Sequence, residues 1–252
     1  MNVLQNQKTR VLILLMITLV FFSLVFAHFH YKKINASVDP RVVKARKMYE
    51  LYNHYAEANY LDSVIFLMDT IEEIYKGIPA YKNSFEIGVL YNNRAAAFLT
   101  MALFSSQIDS LAKDSLIELA EKESLTSIDI YTNWLKRFEN LSSGEIEQGI
   151  KEEFTEGIQT DNKKQIINFL ENRVKEIEEA QLESGRRLSV SYTNLGIVYR
   201  HREEYEKAAG MYIKALEFWE DNLTAENNLN ILLGRPLKKR TLLQKLFPPE
   251  KN

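Results

Sequence analysis

The 252-residue chain contains no cysteine, and it has only 9 glycines and 5 prolines. Without cysteine it can form no disulfide, no zinc–thiolate or iron–sulfur site and no thiol nucleophile. No proline occurs between Pro79 and Pro236, and proline is the residue that a helix interior tolerates least. This long stretch, which is rich in Ala, Glu, Lys and Leu, therefore predicts an all-α protein.

Charges of the two signs are nearly balanced, since 32 Lys and Arg residues face 34 Asp and Glu residues. This balance gives no reason to expect a nucleic-acid partner. The sequence has no glycine-rich phosphate loop, nucleophile elbow or metalloprotease motif. Adjacent carboxylates such as Glu152 and Glu153 point about 100° apart on a helix, so they do not form a catalytic dyad. We therefore expect no enzyme activity, no cofactor and no metal site.

A run of 17 uncharged residues, 11–27, stands out near the N-terminus. At ~1.5 Å per residue, a helix of this length covers roughly 26 Å, the short end of a bilayer span. Phe29 and Tyr31 can extend it into the membrane interface. We predict a single-pass membrane anchor over residues 11–31, preceded by a short basic N-terminus, residues 1–10. A cleaved signal peptide and a buried core helix are the alternatives.

The basic residues do not decide on which side of the membrane the remaining chain lies. Lys8 and Arg10 precede the anchor, whereas more cations follow it, beginning with Lys32 and Lys33. Counted naively, they place the C-terminal domain in the cytoplasm, but the positive-inside rule is weak for long domains. A short basic N-terminus before an apolar run usually stays inside. We therefore expect an extracytoplasmic C-terminal domain and keep the cytoplasmic location as the alternative.

Beyond the anchor, the sequence divides into a linker, a helical domain and a basic tail. The linker covers residues 32–40 and the helical domain covers residues 41–233, with an irregular middle part at 140–186. The tail, 234–252, contains a short apolar face beside several cations. It is interpreted either as a capping helix folded onto the end of the helical domain or as a segment that docks to a partner or a membrane surface.

Several helix ends are predicted from capping residues. Asp39 and Asp161 are expected to cap the N-termini of the helices that follow them. Ser142 and Glu145 have the spacing of a capping box. Gly185 is expected to end a helix as its C-terminal cap.

Residues 192–215 have a spacing typical of an antiparallel helix pair. Gly196 and Ala208 are small residues predicted to lie where the two helices cross closely, and Tyr199 and Tyr212 fill the gaps beside them. The stretch resembles a tetratricopeptide repeat (TPR), in which a large residue, Leu-Gly and an aromatic precede Ala, aromatic and Ala. The usual terminal proline of the family is absent.

Two weaker matches precede this one. Residues 91–98 resemble the first helix of a TPR unit, although the small positions of its second helix are ambiguous among Ala120, Ser124 and Ser127. In a degenerate match over residues 51–70, Tyr60 and Ser63 take the places of Tyr205 and Ala208. The resemblance predicts a TPR-like α-solenoid. Its predicted packing residues are Tyr91, Ala95, Phe98, Tyr192, Leu195, Gly196, Tyr199, Ala208, Tyr212 and Ala215.

The TPR resemblance implies a concave groove that binds an extended peptide or a helix of a partner. Asn93 and Asn194 match positions that often face this groove, and together with Arg200 they are the predicted partner contacts. The alternative is that both asparagines are exposed consensus residues without a ligand. The cations that could line such a groove are Arg94, Arg200, Lys207 and Lys214. They do not supply the full residue set of the family's carboxylate clamp.

The sequence therefore predicts a membrane-anchored, non-enzymatic scaffold that holds a protein or peptide partner. One alternative is a dimerising sensory or envelope-assembly domain that uses the helices of residues 140–184. Another is a secreted helical repeat protein released by signal cleavage. The apolar stripe from Ile166 to Ala180 serves either packing within the solenoid or a coiled-coil dimer contact. Neither the partner nor the oligomeric state follows from the sequence.

Overall fold

The computed structural model describes residues 13, 15–26, 37–105 and 109–239, and all regular elements in these ranges are helices. The all-α class is therefore confirmed for the described part of the chain. Residues 13 and 15–26 form helix α1, and a 3₁₀ turn, Pro79–Tyr81, joins α3 to α4. The other helices are α2 (Val43–Glu57), α3 (Leu61–Lys76), α4 (Phe85–Phe104), α5 (Ser110–Phe138), α6 (Ser143–Thr155), α7 (Lys163–His201), α8 (Tyr205–Phe218) and α9 (Leu223–Leu232).

The predicted anchor, 11–31, is described only over residues 13 and 15–26, and its other residues lie outside the described ranges, as do residues 1–10 and 32–36. The described residues are helical, and their apolar side chains other than that of Val25 are exposed, as Phe22 at 64% illustrates. A search of the described ranges finds no helix that is both long and apolar enough to cross a membrane. The anchor therefore stays a prediction.

Helices α4 and α5 pack as an antiparallel pair, as do α7 and α8. In the first pair Gly88 lies against Tyr131, and further along α4 Arg94 contacts Glu123, which precedes Tyr131 on α5. In the second pair Gly196 lies against the ring of Tyr212. The sequence analysis predicted the close crossing at Gly196, but it did not identify the equivalent contact at Gly88.

The turn between α2 and α3 has the same hydrogen bonds as the turn between α7 and α8. Asn59 and Glu203 both have positive φ, at 59° and 62°. In each turn the next residue donates its backbone N–H to the carbonyl of an aromatic residue, Tyr55 or Tyr199. This equivalence corrects the predicted third repeat by one residue. The helix that starts at Tyr205 corresponds to one that starts at Leu61, so Ala208 corresponds to Val64 and not to Ser63.

The α4/α5 pair shows which small residues of α5 pack against neighbouring helices, a point that the sequence left open. Ala120, Ser124 and Ser127 are all fully buried. Their spacing of four and three residues repeats that of Ala208, Tyr212 and Ala215, which are also fully buried. All three candidates therefore belong to the seam, by which we mean the buried contact surface between packed helices. Helices α4 and α5 extend beyond this seam by additional turns before the chain reverses.

Helix α7 runs without interruption over 39 residues, so the predicted helix end at Gly185 is wrong. A Cβ atom on Gly185 would lie 3.2 Å from the carbonyl oxygen of Phe218. The glycine therefore allows the C-terminal end of α8 to approach α7 and does not cap a helix. The first half of α7 contacts α6 and, through Arg173, α4, and its second half contacts α4, α5 and α8. The same helix thus covers part of the predicted irregular middle part, 140–186, and forms the first helix of the α7/α8 pair.

Of the predicted caps, the capping box of Ser142 and Glu145 is confirmed. The predicted cap at Asp161 is one residue off, because Asn162 accepts the backbone N–H of Gln165. Asp39 does not cap a helix either. Helix α2 begins at Val43, and the Asp39 carboxylate instead forms a salt bridge of 2.8 Å with Arg41.

Most of the buried apolar side chains form one core between α2–α4, the end of α5, α6 and the first half of α7. The predicted α7 stripe contributes Phe169, Leu170, Val174, Ile177 and Ala180 to this core. Packing within the chain therefore uses this stripe, and it does not remain exposed as a coiled-coil face. Of the tail, residues 234–239 follow α9, where the backbone of Lys238 is hydrogen-bonded to Asn227; residues 240–252 lie outside the described ranges.

Candidate functional site

The predicted groove cation Arg94 is buried in an ionic cluster between α3, α4 and α5. Its guanidinium contacts Glu72, Asp69 at 2.5 Å and Glu123 at 2.9 Å. Tyr91 donates its hydroxyl proton to Glu72 at 2.6 Å, and the Arg94 guanidinium lies 4.6 Å from the centre of the Tyr91 ring. Arg94 therefore joins three helices and is not available to a partner's carboxylate.

The pKa values in this cluster reflect competition between burial and pairing. Burial raises the pKa of Glu72, but hydrogen bonds from Lys76 and Tyr91 and the charge of Arg94 outweigh it, so the pKa is lowered. For Glu123, burial outweighs the attraction of Arg94, and the pKa is raised. The cluster is a structural junction that depends on the Arg94 charge.

Asn194 is 7% exposed, so the expectation that it faces an open groove is wrong. Its side-chain amide donates to the side-chain oxygen of Asn92 on α4 at 3.0 Å. The same oxygen accepts the hydroxyl proton of Ser191, and that hydroxyl lies 2.9 Å from the hydroxyl of Ser127 on α5. Asn194 thus belongs to a buried polar cluster where α4, α5 and α7 meet.

The other two predicted contacts lie in different places. Asn93 is half-buried and donates from its side-chain amide to the Tyr49 hydroxyl at 3.0 Å. Arg200 is also half-buried and donates to Asn228 on α9 at 2.7 Å. The structure therefore does not bring the three predicted contacts together, and among them only Asn93 contacts Tyr49, which lines a cleft between α2, α4 and α7.

The remaining predicted groove cations, which lie on α8, have partners of their own within the α7/α8 pair and the turn that joins it. Lys207 pairs with Glu204, and Lys214 lies 5.7 Å from the centre of the Tyr192 ring. With Arg94 buried and Arg200 bound to Asn228, these four residues do not converge on one surface.

A cleft of about 400 Å³ opens between α2, α4 and α7. Its aromatic and aliphatic lining consists of Tyr49, Tyr75, Phe85, Val89, Leu90 and Ala180, of which Tyr75 lies on α3. Its charged lining consists of Arg46, Glu86, Glu176, Glu179, Glu183 and Arg187. We call this space the central cleft. Apart from Tyr75, the lining residues lie on α2, α4 and α7, which are the first members of the pairs α2/α3, α4/α5 and α7/α8.

One end of the central cleft is held by a neutralised ionic network. Arg173 donates to Glu86 at 2.5 Å and to Glu176 at 3.1 Å, and Arg46 pairs with Glu176 at 2.5 Å. Burial raises the pKa of Glu86, but the charge and hydrogen bonds of Arg173 outweigh it and lower the pKa to about 2. These four residues satisfy one another and fix α2, α4 and α7 around the cleft.

Arg187 differs from Arg46 and Arg173 because its side chain has no hydrogen-bond or ion-pair partner among the described residues. Its Nε is buried and has no hydrogen-bond acceptor. Glu183, one turn earlier on α7, instead lies 3.9 Å from Arg186. The charge of Arg187 acts on nearby Tyr49, where burial raises the hydroxyl pKa and Arg187 opposes the rise. Sequence reasoning missed Arg187, since nothing in the surrounding sequence distinguishes it from the adjacent Arg186.

The described ranges contain no group of three or more side chains that could hold a metal ion. Searches against protein-family models, curated proteins and solved structures find no match to this chain.

Proposed function

We propose that this chain is a membrane-anchored, non-enzymatic scaffold of the TPR type that binds a segment of a protein partner in the central cleft. The observation that carries the proposal is the position of the cleft. It opens between α2, α4 and α7, and it combines apolar walls with the unpartnered Arg187. Recessed apolar surface with a few convergent polar groups is typical of a binding site.

The TPR-type architecture is supported by recurring contacts. Gly88 and Gly196 both face a tyrosine ring of the following helix, and the turns after Tyr55 and Tyr199 have matching hydrogen bonds. When helices stack in this way, the second helices and the seams are used by neighbours, and the first helices retain an open face.

The proposed anchor is supported by the exposed apolar surface of α1, and it would hold the cleft near the bilayer. We place α2–α9 outside the cytoplasm because a short basic segment precedes the anchor. Protease added to intact cells should remove α2–α9 from the full-length protein. Protection until the membrane is permeabilised would place these helices inside.

Photo-crosslinking in native membranes tests the binding site. A benzophenone amino acid is introduced at Glu179, which lines the cleft, or at Glu171, an exposed α7 residue outside the cleft lining. Illumination should yield a discrete adduct with a partner protein from position 179 only. Adducts from both positions, or from neither, would refute a partner site in the central cleft.

A further inference from the structure

We propose that the central cleft recognises an internal peptide segment in which an acidic side chain pairs with Arg187 and a neighbouring apolar side chain packs against Tyr49 and Val89. This inference rests on the proposed function, because it names the chemistry of the partner that the cleft would take. Its separate support is the contrast between half-buried Arg187, whose Nε is buried without an acceptor, and the buried arginines Arg94 and Arg173, which are paired with carboxylates.

Arginine side chains elsewhere in the interior are matched with carboxylates. Arg94 contacts three of them, and Arg173 contacts two. Arg187 contacts none within the described ranges, although its Nε is buried. A buried charged donor without an acceptor is unfavourable, and a ligand carboxylate would supply the missing acceptor in a partly desolvated site. The guanidinium therefore favours an anionic group.

The apolar lining residues of the central cleft favour an apolar ligand side chain next to the acidic one. Val89 is buried at 8% exposure and Leu90 at 1%, and both line the cleft together with Phe85 and Tyr49. The Tyr49 hydroxyl is held by Asn93, which fixes the ring as a wall. An aliphatic or aromatic side chain of the ligand would displace water from this surface.

The charges along α7 favour an acidic side chain over a terminal carboxylate. Glu183 and Glu179 line the cleft one and two turns before Arg187, about 6 and 12 Å away along the helix axis. A ligand chain that continues past Arg187 can place a basic side chain against Glu179. A ligand whose C-terminal carboxylate pairs with Arg187 extends from that point in one direction only. It can therefore reach Glu179 in only one of the two possible orientations along α7. The expected segment therefore carries an acidic, an apolar and a basic residue.

The experiment uses the full-length protein in mild detergent and random 12-residue peptides displayed on phage with no free C-terminus. Selected sequences should contain Asp or Glu beside Leu, Ile or Phe. A selected peptide is then synthesised with amidated ends, with Gln or Asn in place of its acidic residue, and in a truncated form whose only carboxylate is the C-terminal one. Binding is measured by fluorescence anisotropy.

We expect Arg187→Gln to weaken binding of the acidic peptide at least tenfold, and Arg187→Lys to weaken it less because the charge remains. Lys175→Gln is the matched control, since Lys175 is an exposed α7 cation outside the cleft lining, and its affinity should be unchanged. The neutral peptide should bind at least tenfold more weakly to wild type and should be insensitive to Arg187→Gln. All variants are checked for wild-type helical circular dichroism.

Three results would overturn the inference: no enrichment of acidic peptides, equal binding to wild type and Arg187→Gln, or tighter binding of the truncated peptide. The crosslinking experiment separates these failures from failure of the proposed function. A partner adduct at position 179 together with any of the three would retain the cleft as a binding site and reject its acidic ligand.

Discussion

The close crossing of α7 and α8 makes a quantitative prediction for Gly196→Ala. The added Cβ would lie 2.5 Å from Cε1 and 2.7 Å from Cδ1 of Tyr212, whereas carbon atoms in contact are about 3.5–4.0 Å apart. Tyr212 is fully buried, so its ring has no solvent into which it can turn. Overpacking of this kind costs about 1–3 kcal/mol, and replacing glycine by alanine in a helix returns about 0.8–1.0 kcal/mol.

Gly210 on α8 provides the matched control. It also lies within a helix, but a Cβ atom there would meet nothing within 4 Å. Gly210→Ala should therefore gain the helix-propensity term without the clash. The free energies of unfolding of the two variants should differ by about 1–3 kcal/mol, which corresponds to roughly 2–4 °C in Tm for each kcal/mol in a domain of this size.

Thermal and urea unfolding of the full-length protein in mild detergent, followed by circular dichroism at 222 nm, measures this difference. In a Tyr212→Leu background, Gly196→Ala should cost less, with a coupling of about 1 kcal/mol. Equal stability of Gly196→Ala and Gly210→Ala would refute the close crossing, and with it the seam contacts that support the TPR-type architecture.

Three further predictions concern the anchor, the polar cluster and the cleft network. Removal of residues 1–31 should give a soluble protein with helical circular dichroism, because the apolar run ends before Lys32; an insoluble or unfolded product would refute this boundary. Asn194→Ala should lower the free energy of unfolding by about 0.5–1.5 kcal/mol. Because Asn194 is buried, peptide affinity should change less than tenfold. A variant with unchanged stability and lost affinity would instead show that Asn194 contacts the ligand. The Glu86 pKa of about 2 lies below its ordinary 4.5, so its carboxylate contributes stability above pH 4.5 that is lost as the pH falls through 2. Glu86→Gln should therefore reduce the change in urea midpoint between these pH values, and an unchanged pH profile would contradict the Arg173 pairing.

Local sequence signals were sufficient for the helical class and for the close crossing at Gly196. The absence of proline between Pro79 and Pro236 matches the helical chain that the structure describes over most of that range. Gly196 could be placed at a helix crossing because the residues that pack against it lie on the next helix, at the spacing of a known repeat. The capping box at Ser142 is likewise a contact between residues three positions apart. These features depend on short-range geometry, which a single sequence specifies well.

The features that failed depend on contacts between distant residues. A glycine at position 185 is typical of a helix C-terminal cap. In the structure it lies inside the continuous helix α7, where the absence of a side chain leaves room for the Phe218 carbonyl. Asn194 lies at a position that the TPR pattern leaves open, yet Asn92, 102 residues earlier, covers it in the structure. The sequence pattern within one helix does not predict which distant helix will pack against it.

The sequence by itself determined the helical class, the apolar N-terminal run and the Gly196 crossing, because propensity, hydrophobicity and helical spacing are properties of consecutive residues. Only the tertiary structure decided which arginines are available to a ligand. Arg94 and Arg187 are equally ordinary in the sequence, but the glutamates of α3 and α5 neutralise the first, whereas the second faces a cleft between three helices. Burial and pairing of a charge depend on the arrangement of separate helices, and that arrangement distinguishes a structural junction from a candidate binding site.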